Sequence, residues 1–465
     1  MVGGARQVGR GTARCPGPTW DDLVAADSRP TPAFLREDSY EYLGSEPLAA
    51  ERYTGAEFFR AEVEKMWPNV WQVAAREEEM PDSGDVVVFE NVGRSFLVVR
   101  QADGSVRAFH NACLHRGRKL RTESGPSGMF QCPYHGFTWN LDGSLKYIPC
   151  RWDFPHLPDD EMSLPEAETG RWGGYIFLRE NPGGLSLEEY LAPLPEHFKR
   201  WPHEDRTTSV WVAKVIHANW KVVMEAFMEA WHAYTIHPQL TAFVSDVNSR
   251  YNVYGDHVNV GFNAQGAMSP LLDPQGRSEQ WIVDQYLNYR GYSSGWPRTV
   301  VPKGSTARKV LAQLAREEYL RLYGVRIDHA SDAEMMDSIF YSVFPNWGPW
   351  GGFKPCLDYR FRPWPDQDHT LMEVRILTPV QRGQPMPRSA PMHLLGDDET
   401  WASAPEIAES LGDILDQDVA NVTQVHAGLK ASKTKRINLG DYQEIRLRQF
   451  SRTADKYMNR QTGSN

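Results

Sequence analysis

Four residues in two short segments have the types and the spacing to bind a metal centre. Cys113 and His115 form a Cys-x-His segment, and Cys132 and His135 form a Cys-x-x-His segment, with sixteen residues between the two. Two thiolates and two imidazoles can complete a tetrahedral zinc site. The same set can hold a [2Fe–2S] cluster in which two Cys bind one iron and two His bind the other. The residue types alone leave both chemistries open.

The residues around these four ligands favour iron. Each ligand pair is followed closely by a glycine, Gly117 or Gly136, and glycine lets a loop close tightly with its backbone N–H groups directed at cluster sulfurs. A zinc finger more often takes both Cys from one segment and both His from the other. The pattern resembles the Rieske motif, which implies that the four residues hold a Rieske [2Fe–2S] cluster. A structural zinc site is the alternative.

A second group of potential metal ligands contains Glu229, His232 and His237. Glu225, Glu229 and His232 recur at helical spacing, so they would share one face of a helix predicted over residues 219–234. His237 can join that face only if the helix ends after His232, and the proline that follows His237 favours such an end. Two His and a carboxylate form the facial triad whose open positions admit O₂ to Fe(II). An ordinary surface helix is the alternative.

Together the two segments resemble the large (alpha) subunits of the Rieske non-haem iron oxygenases, of the aromatic ring-hydroxylating type, over nearly the whole chain. The resemblance implies that His232 and His237 bind mononuclear Fe(II). It also implies that a late acid completes the triad, and we favour Asp418 over Asp416. Family members usually carry Asp three residues before the first iron His, where it bridges to a cluster His of the next subunit. Here Glu229 occupies that position, and we expect it to keep the catalytic bridge.

The resemblance also implies a reaction and its partners. An oxygenase of this kind uses O₂ and electrons from a separate flavin reductase or ferredoxin to hydroxylate a hydrophobic, aromatic or polycyclic small molecule. Electrons pass from the cluster of one subunit to the iron of its neighbour, so a homotrimer is expected, with or without a small beta subunit. The chain carries no Gly-x-Gly-x-x-Gly fingerprint and no plant-type ferredoxin Cys run, which agrees with a separate electron donor.

Two other functions remain open. A Rieske monooxygenase could use the same ligands to demethylate an N- or O-methyl or quaternary ammonium compound, which aromatic side chains would hold by cation–π attraction. A Rieske electron carrier would lack the catalytic iron altogether, and His232 and His237 argue against it.

The substrate pocket is expected between the iron-binding segment and a sheet of the second domain. An apolar cavity with aromatic walls would suit a hydrophobic substrate, although each candidate could equally be an ordinary core residue. The candidates are Phe227, Phe243, Phe344, Trp347 and Trp350.

Length and composition narrow the class of protein. The 465 residues suffice for two or three domains, and the net charge of −10 argues against general nucleic-acid binding. The sequence contains no run of eighteen apolar residues, so no membrane span is predicted. Cys15, Cys150 and Cys356 follow no spacing pattern, which indicates a reducing cytoplasm.

The elements that position these residues predict an α+β protein. Short strands separated by turn residues from residue 70 to 110 indicate an all-β unit. After this unit the sequence predicts longer strands mixed with helices, and the helices include residues 306–323, 406–428 and 442–457. The predicted architecture is an N-terminal all-β Rieske domain and a C-terminal helix-grip (START-like) catalytic domain with an antiparallel sheet and long helices. The predicted boundaries are 1–50 for a tail and lead-in, 51–180 for the Rieske domain, 181–208 for a linker with one short helix, and 209–465 for the catalytic domain.

Overall fold

The computed structural model describes residues 15–289, 299–353, 356–381 and 383–459. The first fourteen residues of the predicted tail lie outside this part. The α+β class is confirmed, since a small β unit precedes a larger sheet that carries long helices. Among the described helices, none is both long enough and apolar enough to cross a membrane.

The strands alternate with turns through the first two hundred residues and lengthen afterwards. In chain order they are β1 (Leu48–Ala49), β2 (Gln72–Arg76), β3 (Asp85–Asn91), β4 (Arg94–Arg100), β5 (Val106–His110), β6 (Gly125–Pro126), β7 (Phe130–Gln131), β8 (Thr138–Trp139), β9 (Leu145–Tyr147), β10 (Glu166–Trp172), β11 (Tyr175–Arg179), β12 (Arg206–Ile216), β13 (Val244–Tyr254), β14 (Val258–Gln265), β15 (Ser338–Val343), β16 (Trp347–Gly351), β17 (Leu357–Pro363), β18 (Thr370–Pro379), β19 (His393–Leu395) and β20 (Arg436–Ile437).

The α-helices are mostly short in the first half of the chain and long near its end. In chain order they are α1 (Trp20–Ala25), α2 (Glu51–Thr54), α3 (Ala56–Ala61), α4 (Leu187–Leu191), α5 (Leu194–His197), α6 (Trp220–Glu225), α7 (Ala233–Ile236), α8 (Glu279–Tyr289), α9 (Ala307–Tyr323), α10 (Asp332–Met336), α11 (Asp413–Ala431) and α12 (Ile445–Met458).

The N-terminal β unit presents two loops from neighbouring sheets. Its seven-stranded sheet has the order β2-β11-β10-β5-β4-β3-β6, and a three-stranded sheet has the order β7-β8-β9. The loop with Cys113 and His115 lies between β5 and β6, and the loop with Cys132 and His135 lies between β7 and β8. The β unit therefore carries all four predicted cluster ligands on loops.

The second unit is built on an eight-stranded sheet of order β13-β14-β15-β16-β17-β18-β12-β19. Its pairs are antiparallel except the edge pair β12–β19, which is parallel. Helix α6 packs on β17 and β18, α11 packs on α6, and α12 packs on β13. The sheet and these helices enclose the segment with the predicted iron ligands.

The long helix α9 agrees closely with its prediction. Thr306 caps its first turn by accepting a hydrogen bond from the backbone N–H of Lys309. Gly324 ends the helix in the left-handed conformation, with φ of 68°, which glycine adopts without steric cost. Both boundary signals lie in the local sequence, so the helix could be predicted closely.

The helix predicted over residues 219–234 is wrong in length. Helix α6 ends at Glu225, and residues 226–232 form turns before α7 begins. The backbone groups freed by this break have tertiary partners. Arg446 donates to the carbonyl oxygen of Met228 at 3.1 Å, and the Ala230 N–H donates to the Tyr251 hydroxyl at 3.0 Å. Because these partners stabilise the break, Glu225, Glu229 and His232 do not share one helical face.

The segment predicted as a linker also contains more structure than expected. It holds two short helices, α4 and α5, instead of one. Tyr190, Leu191 and Leu194 are buried in the main core. Burial of these side chains favours the helical conformation here, although the Pro- and Glu-rich composition does not indicate it.

Candidate functional site

The two cysteine loops have matching backbone conformations. In one, the Gly117 N–H donates to the Cys113 carbonyl oxygen at 2.8 Å. In the other, the Gly136 N–H donates to the Cys132 carbonyl oxygen at 2.9 Å. Gly117 and Gly136 have φ of 75° and 78°, a region in which residues with a Cβ are strained. The glycines that follow the ligand pairs are therefore required by the loop geometry.

The four side chains meet between the loops. Cys113 and Cys132 are buried, and burial raises the pKa of the Cys113 thiol, as does the adjacent Cys132 thiol. The His115 and His135 rings have centroids 4.6 Å apart, and His115 stacks on Phe137. The His115 Nδ1 atom is buried without a hydrogen-bond partner in the described part of the chain. A buried nitrogen of this kind is costly unless something binds it, so the donor set fits a [2Fe–2S] cluster.

The second group of ligands also converges. The His237 Nε2 atom lies 2.9 Å from Asp418 Oδ1, and the His232 Nε2 atom lies 3.6 Å from the same oxygen. One potential ligand atom from each of the three residues falls within 4.8 Å of the others. Asp416 instead accepts hydrogen bonds from the backbone N–H groups of Trp401 and Ala402. Of the two candidate acids, Asp418 is the one beside the imidazoles.

The outer partners of the two imidazoles set their tautomers. His232 Nδ1 contacts a carboxylate oxygen of Glu229, and His237 Nδ1 lies 2.7 Å from the amide oxygen of Gln417. Both oxygens accept, so each Nδ1 donates a proton to its partner, and each Nε2, on the side of Asp418, can offer its lone pair to a metal ion. Gln417 was not predicted, although its position next to Asp418 on α11 was the available signal.

The electrostatics at His232 also fit a bound cation. Burial alone would lower the pKa of His232, but the carboxylates of Glu229 and Asp418 raise it to about 9. Positive charge is therefore stabilised at this point. Two imidazoles and one carboxylate match the 2-His-1-carboxylate set that holds non-haem Fe(II).

A buried acid, Glu225, shares a cavity with two of the predicted iron ligands. The Tyr53 hydroxyl donates to Glu225 at 2.8 Å. Desolvation raises the pKa of Glu225 to about 8, although the hydrogen bond from Tyr53 and the charge of Lys221 lower it. Glu225 lines a cavity of about 240 Å³ together with Glu229, His232, Asp418 and Glu444.

A second, larger cavity of about 350 Å³ borders all three predicted iron ligands. Its wall contains Glu229, His232, His237 and Asp418, so the ligand atoms and the cavity are contiguous. The remaining lining is mainly apolar and aromatic, as is typical of small-molecule sites. Its aromatic residues are Phe227, Phe243, Tyr289, Tyr323, Phe340, Trp350, Phe353 and Tyr359.

Of the five predicted pocket residues, Phe227, Phe243 and Trp350 line this cavity, and the prediction is wrong for Phe344 and Trp347. Phe344 stacks on Tyr457 with ring centroids 5.6 Å apart. Trp347 donates its indole N–H to the Asp358 carboxylate and packs on other core aromatics. Both are buried core residues, Phe344 in the turn after β15 and Trp347 on β16.

Several residues of the cavity were not predicted. Many of them come from strands β14, β15, β17 and β18, which approach residues 226–244 only in the folded chain. The available signal was the two-residue period of a strand, which directs Asn263 and Gln265 of β14 to one face. That period indicates a shared face but does not tell which face borders a cavity.

A Rieske [2Fe–2S] domain model matches residues 70–158, and a model of the ring-hydroxylating alpha subunit catalytic domain matches residues 196–460. The second match covers more than half of the chain. The chain belongs to the ring-hydroxylating alpha subunit family. Members bind a Rieske cluster in the first domain and mononuclear iron in the second, and both donor sets described above fit those groups.

Individual relatives of this alpha subunit differ in what they oxidise. The chain is 30% identical over 224 residues to a glycine betaine monooxygenase oxygenase subunit from Pseudomonas aeruginosa. The matched residues are 47% of this chain and 50% of the relative. It is 30% identical over 201 residues to a chlorobenzene dioxygenase alpha subunit from a Cupriavidus species, which is 42% and 44% of the two chains. The matched part thus spans about half the length of these curated relatives.

A solved structure supports the same fold over more of the chain. The quaternary ammonium Rieske monooxygenase CntA superposes with a TM-score of 0.63 at 16% identity. The superposition covers 90% of this chain and 97% of CntA. At this identity the similarity establishes the fold alone.

Proposed function

We propose that this alpha subunit is the oxygenase component of a multicomponent Rieske oxygenase that hydroxylates a hydrophobic, ring-containing small molecule. The domains proposed for it are residues 51–180 for the cluster and 209–465 for the reaction. The cluster ligands we assign are Cys113, His115, Cys132 and His135, and the iron ligands are His232, His237 and Asp418.

The observation that carries this proposal is the convergence of His232, His237 and Asp418 in the wall of an aromatic cavity. Bound Fe(II) with open positions supplies activation of O₂ in such a site. The chain contributes the geometry. Gln417 and Glu229 hold the imidazoles in the required tautomer, and the aromatic walls would exclude water and hold a ring next to the ligand atoms.

We assign Glu229 to the electron route between subunits. Its carboxylate contacts His232 Nδ1, and its side chain keeps 10% exposure. Trp231 and Tyr234, next to His232, are 46% and 40% exposed. Exposed aromatics of this kind are common where another protein docks. Their position beside Glu229 supports a homotrimer in which a neighbour's cluster His approaches this carboxylate.

The β unit that carries the cluster loops also exposes aromatic side chains, which could pack against those beside Glu229. Tyr134, Tyr147 and Trp152 are exposed, and Trp152 keeps 80% of its surface accessible. Arg116 and Arg118 of the first cluster loop are also exposed, Arg116 lies against the Tyr134 ring, and the two charges would attract an acidic ferredoxin or flavin reductase. All five cysteines are unpaired, which supports a reducing, cytoplasmic location.

Demethylation of a quaternary ammonium compound is the second candidate function. The similarity to the glycine betaine monooxygenase subunit favours it. Aromatic rings such as those of Phe340, Trp350 and Tyr359 can also surround a methylated ammonium group. In that reaction each turnover releases formaldehyde from the oxidised methyl group, whereas ring hydroxylation releases none.

Two measurements test the proposal. Iron and acid-labile sulfide are measured per chain, and about three irons with two sulfides are expected if both centres are present. Two irons with two sulfides would leave only an electron carrier, and zinc without sulfide would overturn the function. Reconstitution with a reductase, O₂ and panels of ring compounds and quaternary amines, with formaldehyde quantified, then separates the two reactions.

A further inference from the structure

The smaller cavity, of about 240 Å³, has both iron ligands and surface residues in its wall. His232 and Asp418 line it, and so do Asn421 and Val425, which are exposed on α11. A cavity of this size has room for several water molecules, and its acidic side chains offer them hydrogen-bond partners. Protons can therefore pass between solvent and the iron ligands without crossing the larger, aromatic cavity.

Glu225 presents a carboxyl oxygen to this smaller cavity. Its Oε1 atom accepts a hydrogen bond from the Tyr53 hydroxyl at 2.8 Å. Its Oε2 atom accepts no hydrogen bond within the described part of the chain, yet it keeps accessible surface. Because Glu225 lines the smaller cavity, Oε2 is the oxygen that can exchange a proton with water there.

The surroundings of Glu225 keep it protonated near neutral pH. Lys221 is already paired with Glu62 at 2.6 Å, so this cation is largely neutralised. Desolvation outweighs the nearby cations and raises the pKa of Glu225 to about 8. An acid with a pKa close to the working pH can both release a proton and recover it. The titratable and charged groups that face Glu225 or line its cavity are Arg52 and Tyr53 on α2, Lys221 on α6, Glu229 and His232 in the break, Asp418 on α11, and Glu444 before α12.

Both candidate reactions consume protons beside the iron ligands. Each O₂ takes up two electrons and two protons, whether both oxygen atoms enter a ring as hydroxyl groups or one oxidises a methyl group and the other leaves as water. The electrons come from the separate donor, and the protons come from solvent. A substrate would fill the larger cavity, whose walls are mainly apolar. A second route for protons is therefore needed during turnover.

We propose that Glu225 is the acid that delivers these protons through the smaller cavity. Its Oε2 atom releases a proton to water there, the water passes it to the O₂ that is being reduced, and Glu225 recovers a proton from solvent past Asn421 and Val425. Tyr53 is a positioning residue, because its hydroxyl holds Oε1 and leaves Oε2 to carry the proton. This role rests on the proposed oxygenase function and adds the source of its protons.

Infrared spectroscopy tests without turnover whether Glu225 holds a proton that solvent can reach. The iron-loaded protein is kept free of O₂, and the spectrum of Glu225→Gln is subtracted from that of wild type. We expect the carbonyl band of a protonated carboxyl group at pH 7, a shift of this band in D₂O, and its loss as the pH rises through about 8. No such band at pH 7, or a band that does not shift in D₂O, would overturn the proposal.

The pH dependence of O₂ consumption tests whether that proton is used, with naphthalene and glycine betaine as the two probes. Wild-type rates should fall as the pH rises through about 8. Glu225→Gln should lose this dependence, and its rate at pH 7 should be at least about tenfold lower, since a positioned acid typically contributes more than that. A wild-type pH profile in Glu225→Gln would overturn the proposal.

Two further variants separate proton transfer from a merely structural role. The hydrogen bond from Tyr53 lowers the pKa of Glu225, so Tyr53→Phe should move the fall in rate to higher pH. Glu51→Gln changes an exposed acid on the same helix, α2, and should keep the wild-type profile. An unshifted profile in Tyr53→Phe would overturn the positioning role.

Failure of the proposed function gives a different result. A chain without O₂-dependent turnover would overturn both the oxygenase function and the proton route, even if the infrared band of Glu225 persisted. Product formation that keeps the wild-type rate and pH profile in Glu225→Gln would keep the oxygenase function and overturn only the proton route.

Discussion

At the scale of single residues, Asp418 and Asp416 lie two positions apart on α11 and make different contacts. Asp418 borders both imidazoles, whereas Asp416 accepts hydrogen bonds from the backbone at residues 401 and 402. We predict that Asp418→Ala loses the mononuclear iron and keeps the cluster absorption. Asp416→Ala is the control and should keep both centres, with lower thermal stability. Loss of the mononuclear iron in Asp416→Ala alone would contradict the ligand assignment.

Glu229 has a different predicted role from the ligands. Glu229→Gln can still accept a hydrogen bond from His232, so we expect the iron and the cluster to remain bound. Turnover should fall by at least about tenfold, because an amide binds the two ring N–H groups of a bridge more weakly than a carboxylate. Single-turnover rates of cluster oxidation in the presence of substrate and O₂ measure this step. Cluster oxidation at the wild-type rate would exclude the electron route.

Glu225 should make stability depend on pH. Its pKa is raised from the ordinary 4.5 to about 8, so the folded chain holds this proton over a range in which the unfolded chain has lost it. Its stabilising contribution is complete below about pH 4.5 and is lost as the pH rises through about 8. Relative to wild type, the free energy of unfolding of Glu225→Gln should therefore rise by roughly 2 to 4 kcal/mol as the pH increases from about 4.5 to about 8.

Thermal unfolding of wild type and Glu225→Gln across that pH range measures the effect. Glu188→Gln, which changes an exposed acid on α4, is the control and should follow the wild-type curve. Parallel curves for Glu225→Gln and wild type would show that Glu225 is ionised normally in the folded chain.

At the scale of elements, the break between α6 and α7 positions Glu229 and His232. The Tyr251 hydroxyl on β13 accepts the Ala230 N–H inside this break. Tyr251→Phe removes that acceptor and leaves a buried N–H unpaired, so we predict a loss of about 1 to 3 kcal/mol of stability. Iron affinity should fall as well, since His232 lies two residues away. Urea unfolding and iron titration would check both, and unchanged iron affinity would mean that the break does not position His232.

At the scale of the whole molecule, the proposed electron route requires two copies of the chain. We predict that Asp418→Ala and Cys132→Ser are each inactive alone, because one lacks iron and the other lacks an intact cluster. Mixed trimers from co-expression should recover part of the activity, since a cluster in one copy can serve the iron of its neighbour. Turnover per trimer, measured after tandem affinity purification, tests this. No recovery in verified mixed trimers would place the electron route within one subunit.

Much of the fold and part of the site could be predicted because their signals are local. The ligand types and spacings around Cys113 and Cys132 lie within a few residues of each other, and their glycines have the left-handed conformation that tight loops require. Helix α9 carries its own cap at Thr306 and its own stop at Gly324. The strands of the β unit could be predicted because apolar and polar residues alternate along them and turn residues separate them.

The tertiary structure decided what depends on partners distant in sequence. Helix α6 ends early because Arg446 and Tyr251 satisfy the backbone of the break, and neither residue is near it in the chain. Asn263 borders the cavity, and Phe344 and Trp347 do not, because strand order and side-chain packing determine which face meets the ligand atoms. Local spacing therefore determined the chemistry that this chain can support, and long-range packing determined the shape and polarity of the cavity beside it.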